Sequence, residues 1–466
     1  MSISYPILRN TENVTDFFIG EFQDKRLMQI GALLAKRICS KMTVCIKKLA
    51  ANSRALEVGF GRFLRNKKVT VSEIETHLAQ SANNNCIGIK HVLNINDTVE
   101  VAFPSQREKK TSFGPTTGNK KTKGFFSHPG VVLNAENGDV LGISSVKTWI
   151  RAEEKVISKD KRKIEEKESH CWIEAAVKGS ENLTNAELIT HIGDRESDIY
   201  ELFDRVPNKR NHIIARSKHD RKILGEKSST LCEHMDTLDI SGTYEIDLPE
   251  ITGVRKSRRA TIAIKFSEIN INRPKRLSSK NNKSIKLSCI EAIEVGEVPK
   301  DEESVYWRLL TTHTVHTVEE ARQIIIWYTW RWTIEQIFRT MKKKGLNIEE
   351  SQMEDAEGML KLFVMSFAMA VKVLCLVHAR GGKTDRPASN IFNEKELIVL
   401  EVLLSKLEGK TLKQQNPYRQ NTLSWASWII ARLGSWTCYG KPPGPITMYE
   451  GLKIFEHYFD AWLLFQ

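Results

Sequence analysis

The chain has 466 residues, more than one hydrophobic core usually holds, so we expect two or three domains. Apolar residues make up 41% of the chain and charged residues 27%, values that exclude an intrinsically disordered protein. The 70 basic residues outnumber the 57 acidic ones and give a net charge of +13, which favours a polyanionic partner such as nucleic acid. A surface charge that only keeps the protein in solution explains the same excess equally well.

Some of the basic residues form three short clusters. They do not lie on one amphipathic helix, which argues against a membrane surface as the partner. The clusters consist of Lys120, Lys121 and Lys123; of Lys159, Lys161, Arg162 and Lys163; and of Lys342, Lys343 and Lys344. The eight cysteines are scattered without the close spacing that holds zinc or supports redox exchange, so we expect reduced thiols.

Two features of the sequence predict a cytoplasmic protein. The N-terminal segment lacks a basic stretch followed by an apolar core, so it does not have the pattern of a secretory signal. The longest apolar window, Leu362–Val377, is interrupted by Ser366 and Lys372 and is too short to span a bilayer.

The first part of the chain is predicted to be helical and then to change to strands. Apolar residues recur at helical spacing from Leu27 to Ile38, and residues 20–80 follow this pattern. From Ile87 to Ile95 a largely apolar run of strand length leads to Asp97. Further on, Asn137-Gly138 separates two apolar runs and predicts a β-hairpin.

The second half begins with a short strand that ends near an aspartate. Leu188–Ile192 is predicted to be this strand, and the pattern after Asp194 is helical, so Asp194 lies where a strand becomes a helix. Residues 212–216 form another strand, and alternating patterns predict that the region from about 230 to 310 is rich in β-structure. A helix is expected from Val318 to Met341, and the last hundred residues are mostly helical, with a Gly-Pro break at residues 439–445.

One pattern in the helix from Val318 to Met341 combines a carboxylate with cations. It consists of Tyr328, Arg331, Glu335, Arg339 and Lys342, which recur at steps of three, four and seven residues. Such steps place all five on one face of a continuous helix. This face is typical either of an ordinary salt-bridged helix surface or of a metal-binding carboxylate flanked by phosphate-binding groups.

This helix resembles the tyrosine, arginine, glutamate and lysine signature of DDE transposases of the insertion-sequence-four and transposon-five type. Asp97, in Asn-Asp-Thr, resembles the first catalytic aspartate of that family, and Asp194, in Gly-Asp-Arg-Glu-Ser-Asp, resembles the second. Glu335 is then the third catalytic residue. The similarity extends over nearly the whole chain and includes residues 61–66, a basic strand end at residues 216–219, and residues 431–434.

The resemblance implies that Asp97, Asp194 and Glu335 bind the catalytic metals. Asp, Asp and Glu supply the oxygen ligands that magnesium prefers, and manganese is able to substitute. Two such ions, roughly 3.5–4 Å apart, serve both ends of a phosphodiester displacement. The resemblance also implies an α/β fold, with a ribonuclease-H-like mixed sheet flanked by helices and a β-rich insertion, plus helical N-terminal and C-terminal domains.

The family signature also implies a set of DNA contacts. Tyr328, Arg331 and Lys342 would hold the DNA strand opposite the cut one, and Trp307 would stack on a base flipped out near the transposon end, or else be a core residue of its strand. The expected DNA-binding residues are Arg26, Arg62, Arg65, Arg216, Trp307, Tyr328, Arg331, Arg339 and Lys342. Relatives often carry an arginine where this chain has Ile30, and Arg339 replaces a common lysine while keeping its charge.

Other acids and histidines near the predicted site have alternative roles. Glu196 and Asp198 compete with Asp194 as ligands, although Asp198 is expected to cap a helix or to pair with Arg195. His191 is a weak candidate for a general base, because metal-bound water needs no histidine. The sequence does not decide whether His128 touches the site.

The combined prediction is a cut-and-paste transposase. Residues 1–70 form a helical domain that binds terminal inverted repeats, residues 71–370 form the catalytic domain with its insertion at about 230–310, and residues 371–466 form a helical dimerisation domain. The enzyme would cleave DNA by metal-dependent hydrolysis and hairpin formation, join the 3′-OH ends to target DNA, and work as a homodimer in the synaptic complex. The alternatives are a stand-alone nuclease of the same fold and a catalytically silent DNA-binding relic.

Overall fold

The structure is a computed structural model, and it describes residues 19–104, 110–117, 122–152, 162–224, 230–248, 256–277, 280–342 and 345–465. Six residues of the three basic clusters lie outside the described residues: Lys120, Lys121, Lys159, Lys161, Lys343 and Lys344. The eight cysteines all lie within the described residues, and none of them is joined in a disulfide.

The chain forms helices at both ends and strands in between. The helices are α1 (Lys25–Lys41), α2 (Ile46–Leu49), α3 (Arg54–Arg65), α4 (Val71–Asn85), α5 (Cys171–Asn182), α6 (Tyr200–Arg205), α7 (Leu231–Asp236), α8 (Val318–Thr329), α9 (Trp332–Met341), α10 (Ala356–Met365), α11 (Phe367–Ala379), α12 (Glu394–Leu407), α13 (Leu423–Leu433) and α14 (Pro445–Leu464). The strands are β1 (His91–Asn96), β2 (Val99–Ala102), β3 (Gly114–Pro115), β4 (Lys123–Asn134), β5 (Val140–Trp149), β6 (Leu188–Gly193), β7 (Asn211–Arg216), β8 (Gly242–Leu248), β9 (Arg258–Asn272), β10 (Ser284–Val295) and β11 (Tyr306–Thr311).

These elements belong to two compact units. The first unit comprises Met1–Asn85, Thr98–Lys155 and Thr333–Gln466, and the second unit comprises Cys86–Asp97 and Val156–Trp332. Each unit therefore combines segments that are distant in sequence. The three domains expected from the sequence, 1–70, 71–370 and 371–466, stay a prediction.

The second unit is built on a mixed sheet. Its described strands follow the order β1-β6-β7-β11-β10-β9-β8, in which β1, β6 and β7 are parallel and the others pair antiparallel. The parallel strands are almost entirely buried, although they include polar residues such as Asn94 and His191. Helix α5 packs on β1 and β6, while α7 and α8 pack on β9. The result is a mixed α/β architecture, with the predicted β-rich region supplying the four antiparallel strands.

The first unit contains a long β-hairpin covered by helices. Strands β4 and β5 pair antiparallel on either side of the predicted Asn137-Gly138 turn, where Gly138 has a φ of +78° that a glycine adopts without strain. Strands β2 and β3 also pair with β4. Helices α4 and α11 pack against β5, so the hairpin prediction is confirmed and the hairpin lies in the core of this unit.

Helices from both ends of the chain pack together in the first unit. Helix α1 contacts α11 and α14, and α3 contacts α10. The stretch Ala356–Ala379 is long and apolar enough to cross a membrane, but 78% of its apolar window is buried within the protein, as in a core helix. Helix α14 begins at Pro445, directly after the predicted Gly-Pro break.

One strand boundary in the second unit differs from the prediction. The apolar run from Ile87 to Ile95 was expected to form a single strand, but β1 begins only at His91. Ile87 is 70% exposed and precedes Gly88, whose φ of +78° turns the chain before the strand starts. The turn chemistry of glycine therefore outweighs the apolar pattern here.

The helical part of the first unit buries a lysine between two glutamates. Nζ of Lys372 on α11 lies 3.9 Å from Glu396 on α12 and 3.8 Å from Glu456 on α14. Burial raises the pKa of Glu456 to about 7; Lys372 lowers this pKa, whereas Glu396 and Asp460 raise it. Three charges thus share a nearly dry space, and one carboxyl group is easily protonated.

The free energy of unfolding should therefore depend on pH through Glu456. Because its pKa is raised in the folded state, the unfolded chain releases this proton first, and stability falls as pH rises from 4.5 through about 7. The Glu456→Gln variant should lose this fall, which we expect to be about 3 kcal/mol. Urea titrations at several pH values measure it. The exposed Glu450→Gln on the same helix is the control, and an equal effect of both substitutions would contradict the assignment.

Candidate functional site

Asp97 and Asp194 follow the last residues of two neighbouring parallel strands. Strand β1 ends at Asn96 and β6 at Gly193, and Ile95 lies opposite Ile192 in the register. Asp97 and Asp194 each lie two residues beyond these last paired residues, directly after the ends of the two strands. The second unit thus brings two of the three predicted catalytic carboxylates to one edge of its sheet.

Asp97 has a cation beside it. Nη1 of Arg331 donates a hydrogen bond to Oδ2 of Asp97 at 3.1 Å, and the two side chains are only 10% and 19% exposed. The guanidinium of Arg331 also lies over the ring of Trp332, 5.1 Å from its centroid. The ion pair offsets the cost of placing either charge alone in a partly buried position.

Asp194 is fixed by the short turn that it starts. Its Oδ1 accepts a hydrogen bond from the backbone N–H of Glu196 at 2.7 Å and caps a single 3₁₀ turn at Arg195–Ser197. The hydroxyl of Ser197 donates to the carbonyl of Asp194 at 2.6 Å. Gly193 leaves room for this turn, because a Cβ there would lie 2.5 Å from Cβ of Ser197 and 2.6 Å from the ring of Trp172.

The expectation that Tyr328 to Lys342 forms one helical face is wrong. Helix α8 ends at Thr329 and α9 begins at Trp332. At the junction the N–H of Trp330 bonds to the carbonyls of both Ile326 and Trp327, and the chain tightens from α-helical to 3₁₀ geometry. Tyr328 and Arg331 are buried while Arg339 is exposed, so the five residues share neither a continuous helix nor a solvent-facing surface.

Tyr328 and Trp307 contact each other in the second unit. Their ring centroids lie 5.5 Å apart at an interplanar angle of 67°, an edge-to-face arrangement. Burial raises the pKa of Tyr328, whose ring is near Arg331 and Arg216. Trp307 is half-buried, and its position on β11 is fixed by the pairing with Ala292. Its ring is thus neither a fully buried core group nor a fully exposed one.

Glu335, Arg339 and Lys342 belong to the first unit. Glu335 is half-buried in the first turn of α9, and Arg339 is exposed in its last turn. Nζ of Lys342 lies 3.0 Å from Glu349 and donates to the carbonyl of Glu100 at 2.9 Å. The ammonium of Lys342 therefore already has an anionic partner. If it binds a phosphate, it would contact both the phosphate and Glu349.

Arg216 ends β7 close to several other positive charges. One Nη of Arg216 donates to the carbonyl of Tyr306 at 3.0 Å. Burial lowers the pKa of Arg216; Tyr328 raises it, whereas the charges of Arg195 and Arg331 lower it further. Guanidinium groups that crowd together in this way favour an anionic ligand.

The three remaining predicted DNA contacts lie in the first unit at its N-terminal helices. Arg62 and Arg65 are exposed in the last turn of α3, and Arg26 is exposed in the first turn of α1, where Asp24 caps its backbone N–H at 2.9 Å. The position that relatives often fill with arginine, Ile30, also lies on α1. These side chains are accessible to a partner.

The two histidines left open by the sequence are buried and neutral. Both ring nitrogens of His191 are hydrogen-bonded, to Asn94 and to Asn211, each at 3.1 Å. Burial lowers its pKa to about 4, so a role as the general base is not supported. Nδ1 of His128 bonds to the hydroxyl of Thr98 at 2.8 Å, and burial lowers the pKa of His128 to about 3.

Asp198 pairs with a different arginine from the one expected. Its fully buried carboxylate contacts Arg221 through Nε at 2.9 Å and through Nη2, rather than Arg195. Sequence reasoning missed Arg221 because it lies in a loop 23 residues further along the chain. The one available signal was the basic strand end at residues 216–219.

The donors at the strand ends suit a hard divalent cation. Asp97 and Asp194 offer carboxylate oxygens, and the second oxygen of Asp194 accepts no hydrogen bond from the described residues. Within the part of the chain that the structure describes, no group of three or more His, Cys, Asp or Glu side chains is gathered closely enough to hold a metal. The second unit thus provides two carboxylates suitable for binding a divalent cation. Any further ligands would have to come from other groups.

A mixed sheet with two carboxylates at neighbouring strand ends and guanidinium groups beside them is consistent with the ribonuclease-H-like class of enzymes that act on nucleic acids. The family described as a transposase DDE domain matches residues 97–371, more than half of the chain, and the match begins at Asp97. The chain belongs to this family of transposases. Membership of this family implies that the protein is a nuclease and DNA-transposition enzyme and that its substrate is DNA.

The absence of a side chain at position 193 should be necessary for the turn that carries Asp194. Gly193→Ala places a methyl group within 2.6 Å of Ser197 and Trp172, so we expect a loss of about 1–3 kcal/mol in the free energy of unfolding. Gly444→Ala is the control, because a Cβ there meets nothing within 4 Å. Chemical denaturation measures both, and equal stability of the two variants would contradict the close packing.

Proposed function

We propose that the protein is a cut-and-paste transposase of the insertion-sequence-four and transposon-five type. The observation that carries this proposal is the in-register pairing of β1 and β6, which supports a shared role for Asp97 and Asp194. In the proposed reaction the enzyme hydrolyses one strand at each end of its element, and the freed 3′-OH attacks the opposite strand to form a hairpin. A second water opens the hairpin, and the regenerated 3′-OH ends are joined to target DNA. The family match that begins at Asp97 supports the same choice of residue.

Magnesium is the proposed cofactor, with manganese as a substitute. Asp97 and Asp194 would hold it, and the family resemblance makes Glu335 the third ligand. When bound, two such ions activate the attacking oxygen and stabilise the leaving oxyanion. The ion pair with Arg331 keeps Asp97 beside a positive charge before any metal binds.

The cationic and aromatic residues would hold the DNA during this reaction. Arg331 lies beside Asp97, and Tyr328 lies against both Trp307 and the arginines of this edge, so their groups surround the place where a phosphate would lie. Lys342, Arg339 and Arg216 would bind further phosphates. The partly exposed Trp307 would stack on a base removed from the duplex, which costs a few kcal/mol that stacking partly offsets.

The remaining parts of the proposal concern the whole protein. The N-terminal helices, with Arg26, Arg62 and Arg65 exposed, would bind the terminal inverted repeats. The helical C-terminal region would pair two copies in a synaptic complex, and the protein would act in the cytoplasm on the nucleoid. The net charge of +13 supports a DNA partner throughout.

The central test is the removal of one carboxylate at the strand ends. Asp194→Asn should reduce cleavage by more than about 100-fold, because it removes a metal ligand and not an outer contact. The assay uses purified protein, magnesium and a plasmid that carries both ends of its element. Glu196→Gln is the matched control, since that carboxylate is exposed and only its backbone N–H contacts Asp194.

The products of this assay separate the alternatives. Nicks, hairpins and insertions into target DNA support the proposal. Cleavage without end preference or joining would indicate a stand-alone nuclease, and binding without any cleavage would indicate a silent relic. Full activity of Asp194→Asn would overturn the assignment of the site.

The role of Trp307 is tested by removing the base that it is proposed to bind. Trp307→Ala should slow hairpin formation by about 10- to 100-fold, the usual value of one base–aromatic stack, while Trp307→Phe should retain most of the rate. An abasic site, scanned through the last few nucleotides of the element, should restore the rate of Trp307→Ala at one position because no base remains to be captured. If no position restores it, Trp307 is a packing residue for Tyr328 instead.

A further inference from the structure

The second unit has a cavity beside Asp194 that is lined by positive charges. Its volume is about 230 Å³, several times the roughly 30 Å³ that one water occupies in the liquid, so it has room for a phosphate group with water. The cations on its wall are Arg195, Arg216, Lys218 and Arg308, and the only carboxylate among its lining residues is that of Asp220. Arg195 directly follows Asp194 in the chain.

The charges of this cavity are not balanced by its own walls. Among the described residues, Arg195, Arg216 and Lys218 form no ion pair with a carboxylate. Arg308 is different, because its Nε lies 2.7 Å from the buried Glu291 and this contact fixes its orientation. Cations held together without counter-charges create a site where an anion is stabilised by several charge-assisted contacts at once.

The loop that carries Lys218 is anchored by one buried aspartate. Oδ2 of Asp198 accepts hydrogen bonds from the backbone N–H groups of Lys218 and His219, at 2.8 and 3.1 Å. Its Oδ1 accepts from Nε of Arg221 at 2.9 Å, and Nη2 of Arg221 also reaches the carbonyl of Asp198 at 2.7 Å. The carboxylate of Asp198 is thus satisfied on both oxygens and fully buried.

The anchoring joins two segments that approach the site from different strands. Asp198 lies four residues after Asp194, at the end of the turn that follows β6, whereas residues 217–221 follow β7. Asp198 therefore fixes the loop, and with it Lys218, relative to the predicted catalytic aspartate. Loops without such contacts are among the more mobile parts of a fold. The ion pair between Asp198 and Arg221 therefore holds the loop, with the positive charge of Lys218, in one position.

We propose that this cavity binds one backbone phosphate of the DNA substrate next to Asp194, and that Asp198 is the positioning residue that builds it. The proposal rests on the proposed function, because it takes DNA as the substrate. It adds Arg195, Lys218 and Arg308 to the groups that hold the DNA. Asp198 itself touches no DNA and acts only through the loop.

The first experiment removes one cation from the wall. Equilibrium binding of a duplex from the element's end is measured without divalent metal at several salt concentrations. Lys218→Ala should weaken binding about tenfold and reduce the slope of log K against log salt by about 0.9, the value for one phosphate contact. The exposed Lys209→Ala is the matched control, because it removes the same charge from the same unit outside the cavity.

The second experiment identifies the phosphate. Single methylphosphonates, which are neutral, are placed along the duplex near the cleaved position. One position should weaken binding of the wild-type protein and of Lys209→Ala but leave Lys218→Ala unaffected. If instead inorganic phosphate raises the melting temperature of the wild type but no methylphosphonate position is selective, the cavity binds free phosphate and the proposal is overturned.

The third experiment separates positioning from net charge. Asp198→Asn removes a negative charge, which by itself should strengthen DNA binding, yet we expect weaker binding with a reduced salt slope because the loop is released. Tighter binding, or a slope equal to that of the wild type in a folded variant, would overturn the role of Asp198. If this variant does not fold, the Lys218 and methylphosphonate arms still decide the site. None of these arms requires cleavage, so a failure of the proposed function is detected separately.

Discussion

The parallel, in-register pairing of β1 and β6 is the constraint on which the candidate site depends. Parallel strands end at the same edge of a sheet, so the register that places Ile95 opposite Ile192 also places Asp97 and Asp194 together. Cations accompany both carboxylates, because Arg331 forms an ion pair with Asp97 and Arg195 directly follows Asp194. The buried strands hold this end of the sheet in place, and the polar residues that follow them are the candidate metal ligands.

The three aspartates at this end of the sheet each have a different partner. Asp97 pairs with Arg331, Asp194 caps a turn through Glu196, and Asp198 is paired and buried with Arg221. Only the first two remain partly exposed, which is the condition for contact with a metal or a substrate. The buried third pair has a structural task, since breaking a fully buried ion pair leaves an uncompensated charge.

The sequence predicted those features that depend on local patterns and missed those that depend on tertiary contacts. The hairpin at Asn137-Gly138 and the strand before Asp194 follow from turn residues and apolar runs, and both are present. The break after Thr329 was not predicted, because its residues have no proline or glycine and only the hydrogen bonds of Trp330 reveal the tightening. The Asp198–Arg221 pair could not be predicted, since either of two nearby arginines satisfies an aspartate equally well until the fold selects one.

Four histidines in or next to this sheet have lowered pKa values. Burial lowers the pKa of His191 and of His91 to about 4, and that of His313 to about 3, while His212 stacks on His313 at 4.1 Å with its own pKa also lowered by burial. Burial favours the neutral form of all four rings, and His191 has both ring nitrogens hydrogen-bonded. His91, His212 and His313 lie near Thr190, at the opposite end of the parallel strands from Asp97 and Asp194, so of these four only His191 bears on the site. A role of His191 as a general base is therefore not supported, and the candidate ligands at this end of the sheet are the carboxylates of Asp97 and Asp194.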